Sequence, residues 1–201
     1  LGLFFIFLTV LSSFNGCVGD KTLPEAQSIQ DNVNLFHPNI DERAQWDKLA
    51  CSENGQLYIK AAGELLTEPK EQVDFNELYL DFSKTGRRKP YENAYFKRIK
   101  RLGCFLFAEC LDNKGCFTKP IEDEIKKICA EKTWILPAHD PNLENFKGEK
   151  IDIDLFSSQR GAELALANKL IGQRLSPATR ELIKQKINER IIKPFKNMLT
   201  G

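Results

Sequence analysis

The sequence predicts an all-α protein built from antiparallel helix hairpins, and three observations lead to this prediction. Apolar residues recur at spacings of three and four in successive segments, as in the stripe from Tyr91 and Tyr95 to Leu102 and Leu106. Short connections that contain glycine or proline separate these segments. No strand pattern rivals the helices, because only ILPA and IDIDL look extended. This organisation is typical of a bundle, a solenoid or a helical toroid.

The predicted helices follow one another from about Arg43. The first carries Trp46, and the second ends at Pro69, where the proline ring stops a helix. A short third segment precedes a long helix that the sequence NKG at 113–115 closes. We expect Pro120 to start the fifth helix, because proline favours the first helical position.

The last third of the chain contains a predicted loop and two more helices. The loop, DPNLENFKGEKIDIDLFSS, has about twenty residues, and a loop of that length inside a compact chain is usually functional. We expect a helix from about Ser158 to Leu170. The pair Ser176-Pro177 predicts the start of the next helix, and we expect Pro194 to end it.

Composition and charge are those of an ordinary globular protein. The chain has 201 residues, of which 42% are hydrophobic and 28% are charged, and its formal net charge is +1. A charge this small gives no overall drive toward nucleic acid or membrane surfaces. The sequence also contains no G-x-S-x-G, P-loop or G-x-G-x-x-G pattern, so no complete catalytic site is predicted and no cofactor is expected.

The first residues indicate export. The apolar run LGLFFIFLTVL followed by SSFNGC resembles a signal peptide without its basic start, which we assign to 1–17. Cys17 after Gly16 is a candidate for lipidation in a bacterial lipoprotein, and simple cleavage nearby is the alternative. The run is short for a membrane span, and a buried helix is the remaining interpretation. Residues 18–40 are interpreted as a tether and 41–201 as the folded domain. We expect the chain to be a fragment, cut at both ends.

Export would place the remaining cysteines in an oxidising compartment. Their odd number leaves at least one without a partner among them. The spacing C-x5-C-x5-C does not match zinc motifs, so we favour buried helical thiols. These cysteines are Cys51, Cys104, Cys110, Cys116 and Cys129.

The segment TWILPAHD contains the candidate binding residues. His139 is one of only two histidines, and the adjacent Asp140 is able to fix its tautomer. Trp134 lies close in sequence, and aromatic faces beside polar groups suit sugar rings. The alternative is a histidine that caps or braces the long loop. We expect polar replacement of the pair to leave the core intact. A metal site needs more histidines, and only His37 remains, so none is expected.

A basic run between residues 84 and 101 is the second candidate surface. Such a run is most often the solvated face of a helix. If it binds a ligand, an anionic polysaccharide suits an exported protein better than nucleic acid does. Its members are Lys84, Arg87, Arg88, Lys89, Lys97, Arg98, Lys100 and Arg101.

The order of these motifs resembles the N-terminal helical part of bacterial heparinase II/III-like polysaccharide lyases. The resemblance covers most of residues 40–196 and runs from ELYLDFSKTGRRKPYENAYFKRIKRL through TWILPAHD to KIDIDLFSSQRGAELALANKLIGQRLSPATRELIKQKINERIIKPF. Its most specific part is W-x-L-P-A-H-D, Trp134 to Asp140, followed by the D-L of Asp154-Leu155.

The resemblance implies the first part of an α/α toroid, with a β-sandwich domain farther along the chain. It implies a periplasmic enzyme or outer-membrane lipoprotein of a Gram-negative bacterium that cleaves uronic-acid polysaccharide by β-elimination. The family's catalytic residues would lie beyond Gly201, so none is assigned here and the piece alone is expected to be inactive. The other interpretation is a non-catalytic, exported, carbohydrate-binding lipoprotein.

Overall fold

The computed structural model describes residues 38–68 and 73–200, and every regular element within them is helical. The all-α prediction is therefore confirmed for this part of the chain. The predicted signal peptide, Cys17, His37 and most of the predicted tether lie outside the described residues. The helices are α1 (Arg43–Ala50), α2 (Glu53–Thr67), α3 (Phe75–Thr85), α4 (Lys89–Asp112), α5 (Thr118–Ala130), α6 (Glu144–Lys147), α7 (Leu155–Ile171), α8 (Pro177–Ile187) and α9 (Lys193–Thr200).

The compact unit that contains the described helices begins at Pro38. Ile40 is fully buried, and its backbone N–H donates a 2.9 Å hydrogen bond to the carbonyl oxygen of Leu170. The indole Nε1 of Trp46 donates to the carbonyl oxygen of Asn39 at 3.0 Å. These contacts fasten the start of the unit to α1 and to the end of α7.

Helix α4 lies at the centre of the core. It packs against α1, α2, α3, α5 and α7, and Leu102 and Leu106 of its predicted stripe are buried, as is Phe105. Ile121 and Ile125 of α5 and Leu164 of α7 are also fully buried. The apolar stripes predicted for these three helices therefore form the core, and their burial is the main source of stability.

The structure corrects two predicted helix starts. Helix α5 begins at Thr118, two residues before the predicted Pro120. Helix α7 begins at Leu155, because Asp154 caps it through a capping box with Ser157. The predicted twenty-residue loop is therefore shorter. It is also not structureless, since the 3₁₀ turn Pro137–His139 precedes it and the one-turn helix α6 lies within it.

The prediction that Pro194 ends a helix is wrong. A π turn, Asn188–Ile192, joins α8 to α9, and helical backbone continues through the proline. The N–H of Lys193 bonds the carbonyl oxygen of Asn188, five residues back. Proline has no N–H to donate and its ring crowds the carbonyl four residues before it, so a widened turn accommodates it.

A matched pair of glycines in α2 gives a test of the packing. A Cβ at Gly55 would lie 2.1 Å from the carbonyl oxygen of Leu49, whereas a Cβ at Gly63 would meet nothing within 4 Å. We expect Gly55→Ala to lower the free energy of unfolding by about 2 kcal/mol. Gly63→Ala should raise it by about 0.5–1 kcal/mol, because alanine loses less backbone entropy in a helix. Urea unfolding of both variants checks the prediction, and equal effects would contradict the close approach of α2 to Leu49.

Candidate functional site

Asp154 organises the segment that connects α5 to α7. Its Oδ1 accepts a 2.7 Å hydrogen bond from the N–H of Ser157 and thereby caps α7. Its Oδ2 accepts a 3.0 Å hydrogen bond from the N–H of Leu136 and lies 2.7 Å from Nδ1 of His139. One carboxylate therefore holds together the start of α7, the imidazole of His139 and the backbone of residues 134–140, which we call the WILPAHD segment.

His139 pairs with Asp154 rather than with its neighbour Asp140. An ionised carboxylate only accepts hydrogen bonds, so the short contact places a hydrogen on Nδ1. In the neutral ring, Nε2 is then an acceptor, and no described residue bonds it. The side chain is 49% exposed. An imidazole oriented in this way is able to take up or release a proton at Nε2, or to bind a ligand hydroxyl there.

Asp140 is buried and braces the turn that follows it. Only 2% of the surface of Asp140 is exposed. Its Oδ2 accepts hydrogen bonds from the hydroxyl of Tyr79 at 3.0 Å and from the N–H of Phe146 at 2.9 Å. Its Oδ1 accepts from the N–H of Asn145 at 3.1 Å. Asp140 therefore fixes helix α6 to α3, and this burial argues against the expectation that its polar replacement leaves the core intact.

Trp134 is also buried, with 2% of its surface exposed. Its Nε1 donates a 3.0 Å hydrogen bond to the carbonyl oxygen of Ile128, and the guanidinium of Arg190 lies 4.9 Å from the ring centroid. The indole anchors the segment to α5, and the ring face toward Arg190 is covered. Substrate binding by Trp134, His139 and Asp140 stays a prediction.

A groove lies beside this segment, between the 145–152 loop, the π turn and α9. Its volume is about 680 Å³, within the range of ligand pockets. Trp134 is part of its wall, whereas His139 and Asp140 do not line it. The three predicted binding residues therefore lie in one segment, but the exposed imidazole of His139 is not part of the groove.

The groove is rich in positive charge. Five cationic side chains and two carboxylates line it. The carboxylates form ion pairs, Lys150 with Asp152 at 3.0 Å and Lys186 with Glu189 at 2.8 Å. Lys132 and Lys193 form no ion pair with a described residue, and Arg190 interacts electrostatically with the buried Glu131 without a direct ion pair to it.

The basic run between residues 84 and 101 is not one continuous surface. Arg98 turns inward to the carboxylate of Glu131, and Arg101 bonds Glu124 at 3.2 Å and the carbonyl oxygen of Leu65 at 2.9 Å. The other six members are exposed. The solvated-face interpretation therefore describes most of the run, while the two inner arginines join α4 to neighbouring segments.

The cysteines divide into two groups, and none of the described ones forms a disulfide. Cys104, Cys110 and Cys129 are buried as predicted, and burial raises the pKa of the Cys129 thiol to about 11. Cys51 and Cys116 are exposed, so the buried-thiol prediction is wrong for them. Within 38–68 and 73–200, no three ligand residues are grouped to hold a metal ion.

A buried charge cluster was not found by sequence reasoning. Arg160 is fully buried, 3.9 Å from Glu131 and 3.5 Å from Glu163, and none of its three guanidinium nitrogens makes a hydrogen bond. Its guanidinium lies 4.2 Å from the ring centroid of Tyr95, and Arg190 bonds the carbonyl oxygen of Glu131. The motif QRGAEL reads as an exposed helix face, so only spatial contact reveals the cluster.

Comparisons with known proteins do not assign the chain to a family. No protein-family model matches it. A search of curated proteins found no significant match either. Among the residues that the structure describes, no helix has the length and apolar character needed to cross a membrane.

Proposed function

We propose that this chain is the N-terminal helical part of an exported, heparinase II/III-like polysaccharide lyase. Its substrate class is uronic-acid-containing polysaccharide, which it cleaves by β-elimination. The helices would continue as antiparallel hairpins of an α/α toroid. Two pairs of consecutive helices are in contact, α4 with α5 and α7 with α8. These contacts are compatible with such hairpins.

The observation that carries the proposal is the geometry of the most specific motif. Trp134 to Asp140 and the later Asp154-Leu155 are separated in sequence, yet Asp154 bonds both Leu136 and His139. The two halves of the motif therefore form one hydrogen-bonded unit that presents an exposed imidazole. This contact between the two parts of the motif is the observation that supports the proposal.

The chemistry defines what else the enzyme needs. A base removes the C5 proton of the uronate, the C4–O bond breaks, and a proton goes to the departing oxygen. A neutralising group on the carboxylate stabilises the negative charge that develops. We assign none of these roles within 38–200. His139 contributes to ligand binding or cleft geometry in this proposal.

The test uses the product of the complete reading frame that contains this chain. Elimination creates a C4–C5 double bond conjugated to the carboxylate, which absorbs in the ultraviolet. We expect absorbance to grow when that product meets uronate polysaccharides, and not with the 201-residue chain alone. Absence of growth with the complete product would refute the lyase, and a reading frame that stops at Gly201 would favour the non-catalytic binder. Growth with the short chain would place the active site within it.

A further inference from the structure

We propose that the groove beside Trp134 binds an anionic segment of polysaccharide, with Lys132, Arg190 and Lys193 contacting its acidic groups. The identity of the ligand as a polysaccharide rests on the proposed function. The assignment of the groove and of these three residues rests on the charges and contacts described above.

The charge balance of the groove favours an anion. Lys150 and Lys186 are occupied by the only two carboxylates in its lining. Lys132 and Lys193 are exposed and form no ion pair with any described residue, although Lys132 lies 4.4 Å from the ring centroid of Phe146. Unpaired cations around one concave surface attract acidic groups more strongly than the same charges spread over a convex face.

Arg190 lines the groove and is held in place by two contacts. One of its terminal nitrogens, Nη2, donates to the carbonyl oxygen of Glu131, and the guanidinium lies over Trp134. The other, Nη1, is buried and has no hydrogen-bond partner. Buried donors are usually satisfied, so a small shift of the Arg190 side chain toward a ligand in the groove would give Nη1 an acceptor. A carboxylate or sulfate oxygen is a strong acceptor for guanidinium N–H groups.

The remaining lining suits pyranose rings. Ile151 is 51% exposed and Met198 is 72% exposed, and both line the groove. Apolar side chains of this kind pack against the C–H faces of sugars. Asn197 adds an exposed amide group that is able to bond a hydroxyl, whereas the amide of Asn145 is already bonded to Asp152. This combination distinguishes a site for an acidic sugar from a site for a bare anion.

The experiment compares two neighbouring lysines on α9. Lys193 lines the groove, whereas Lys196 is exposed and does not. Binding to the full 201-residue chain is measured by calorimetry with hexagalacturonate, a heparin hexasaccharide and neutral maltohexaose. We expect both acidic sugars, or one of them, to bind and maltohexaose not to bind. Lys193→Glu should weaken binding at least about tenfold, and Lys196→Glu should change it less than about twofold.

The two acidic sugars show whether carboxylate or sulfate is preferred. Binding should weaken as NaCl is raised, because salt screens the contacts. Equal losses in the two lysine variants would overturn the proposal, since they would show attraction by net charge alone. Equal affinity for a single-stranded oligodeoxynucleotide of the same charge would also overturn it.

Failure of this inference is distinguishable from failure of the proposed lyase. If the complete product releases no unsaturated sugar while the isolated chain shows binding that depends on Lys193, the lyase proposal fails and the groove stands. If the complete product is active but Lys193→Glu behaves as Lys196→Glu in binding and turnover, the groove assignment fails alone.

Discussion

Replacement of Arg160 by methionine should lower the free energy of unfolding at pH 7.5 by about 3–5 kcal/mol. The guanidinium is fully buried between Glu131 and Glu163 and stacks on Tyr95. Methionine fills much of the same space as arginine. The loss of stability therefore comes mainly from the two carboxylates, whose charges Arg160 no longer compensates. Without Arg160, Glu163 keeps only a hydrogen bond from Gln159, and Glu131 keeps Arg98.

The effect of Arg160→Met should depend on pH. Burial raises the pKa of Glu131 and of Glu163, and the charge of Arg160 opposes that rise. Removing Arg160 therefore raises both pKa values further. A carboxyl whose folded-state pKa is raised stabilises the fold fully below its unfolded value, about 4.3, and loses that contribution as pH rises through the folded pKa. The variant should thus be closer to wild type at pH 5 than at pH 7.5.

Urea unfolding at the two pH values measures both the loss and its pH dependence. Arg87→Met is the matched control, because Arg87 pairs with Asp81 at 3.0 Å while being 66% exposed. An exposed pair of this kind contributes about 0–1 kcal/mol, so the control should change little at either pH. A variant at Arg160 as stable as this control would show that the cluster is solvated rather than buried.

Replacement of Asp140 by asparagine should lower the free energy of unfolding by about 3 kcal/mol. The carboxylate faces donors on both oxygens, from Tyr79, Asn145 and Phe146. Burial raises the pKa of the Tyr79 hydroxyl, and the negative charge of Asp140 raises it further. The hydroxyl therefore keeps its proton and donates the hydrogen bond to Asp140. An asparagine amide places a donor against these donors, so at least one is left unsatisfied in the interior.

The matched variant is His139→Gln in the same turn. His139 is half exposed and its imidazole pairs with Asp154, so we expect a loss of less than about 1 kcal/mol. Thermal unfolding of both variants, together with Tyr79→Phe and the double variant, separates the hydroxyl contact from the backbone contacts. If Asp140→Asn unfolds as the wild type does while acidic sugar binding falls, Asp140 is a ligand-binding residue and the bracing role is refuted.

The sequence predicted the helical core well because burial and helical period coincide there. The stripes of α4, α5 and α7 carry Leu102, Ile125 and Leu164 inward, and their spacing alone indicates the buried face. The start of α7 was predicted less accurately, because the capping side chain of Asp154 also bonds residues of the WILPAHD segment. That tertiary role is invisible to local periodicity.

The site was predicted only in part. The sequence singled out His139 and Asp140 as a pair, but the two side chains bond different partners. Adjacency in the sequence does not indicate which partners these are. The partner of His139 lies fifteen residues away, at Asp154. Arg160 and Arg190 resemble ordinary exposed helix residues in the sequence, and only the packing of α7 and the π turn shows the burial of Arg160 and the contact of Arg190 with Trp134.

The π turn at Asn188–Ile192 sets the rotational phase of the terminal helix. Each residue advances an α-helix by about 100°, so deleting one residue here would restore regular helix and rotate α9 by about that angle. Lys193, Asn197 and Met198 would then leave the groove together, without any change in their identity. A single deletion at this turn would therefore remove the α9 side of the groove in one step.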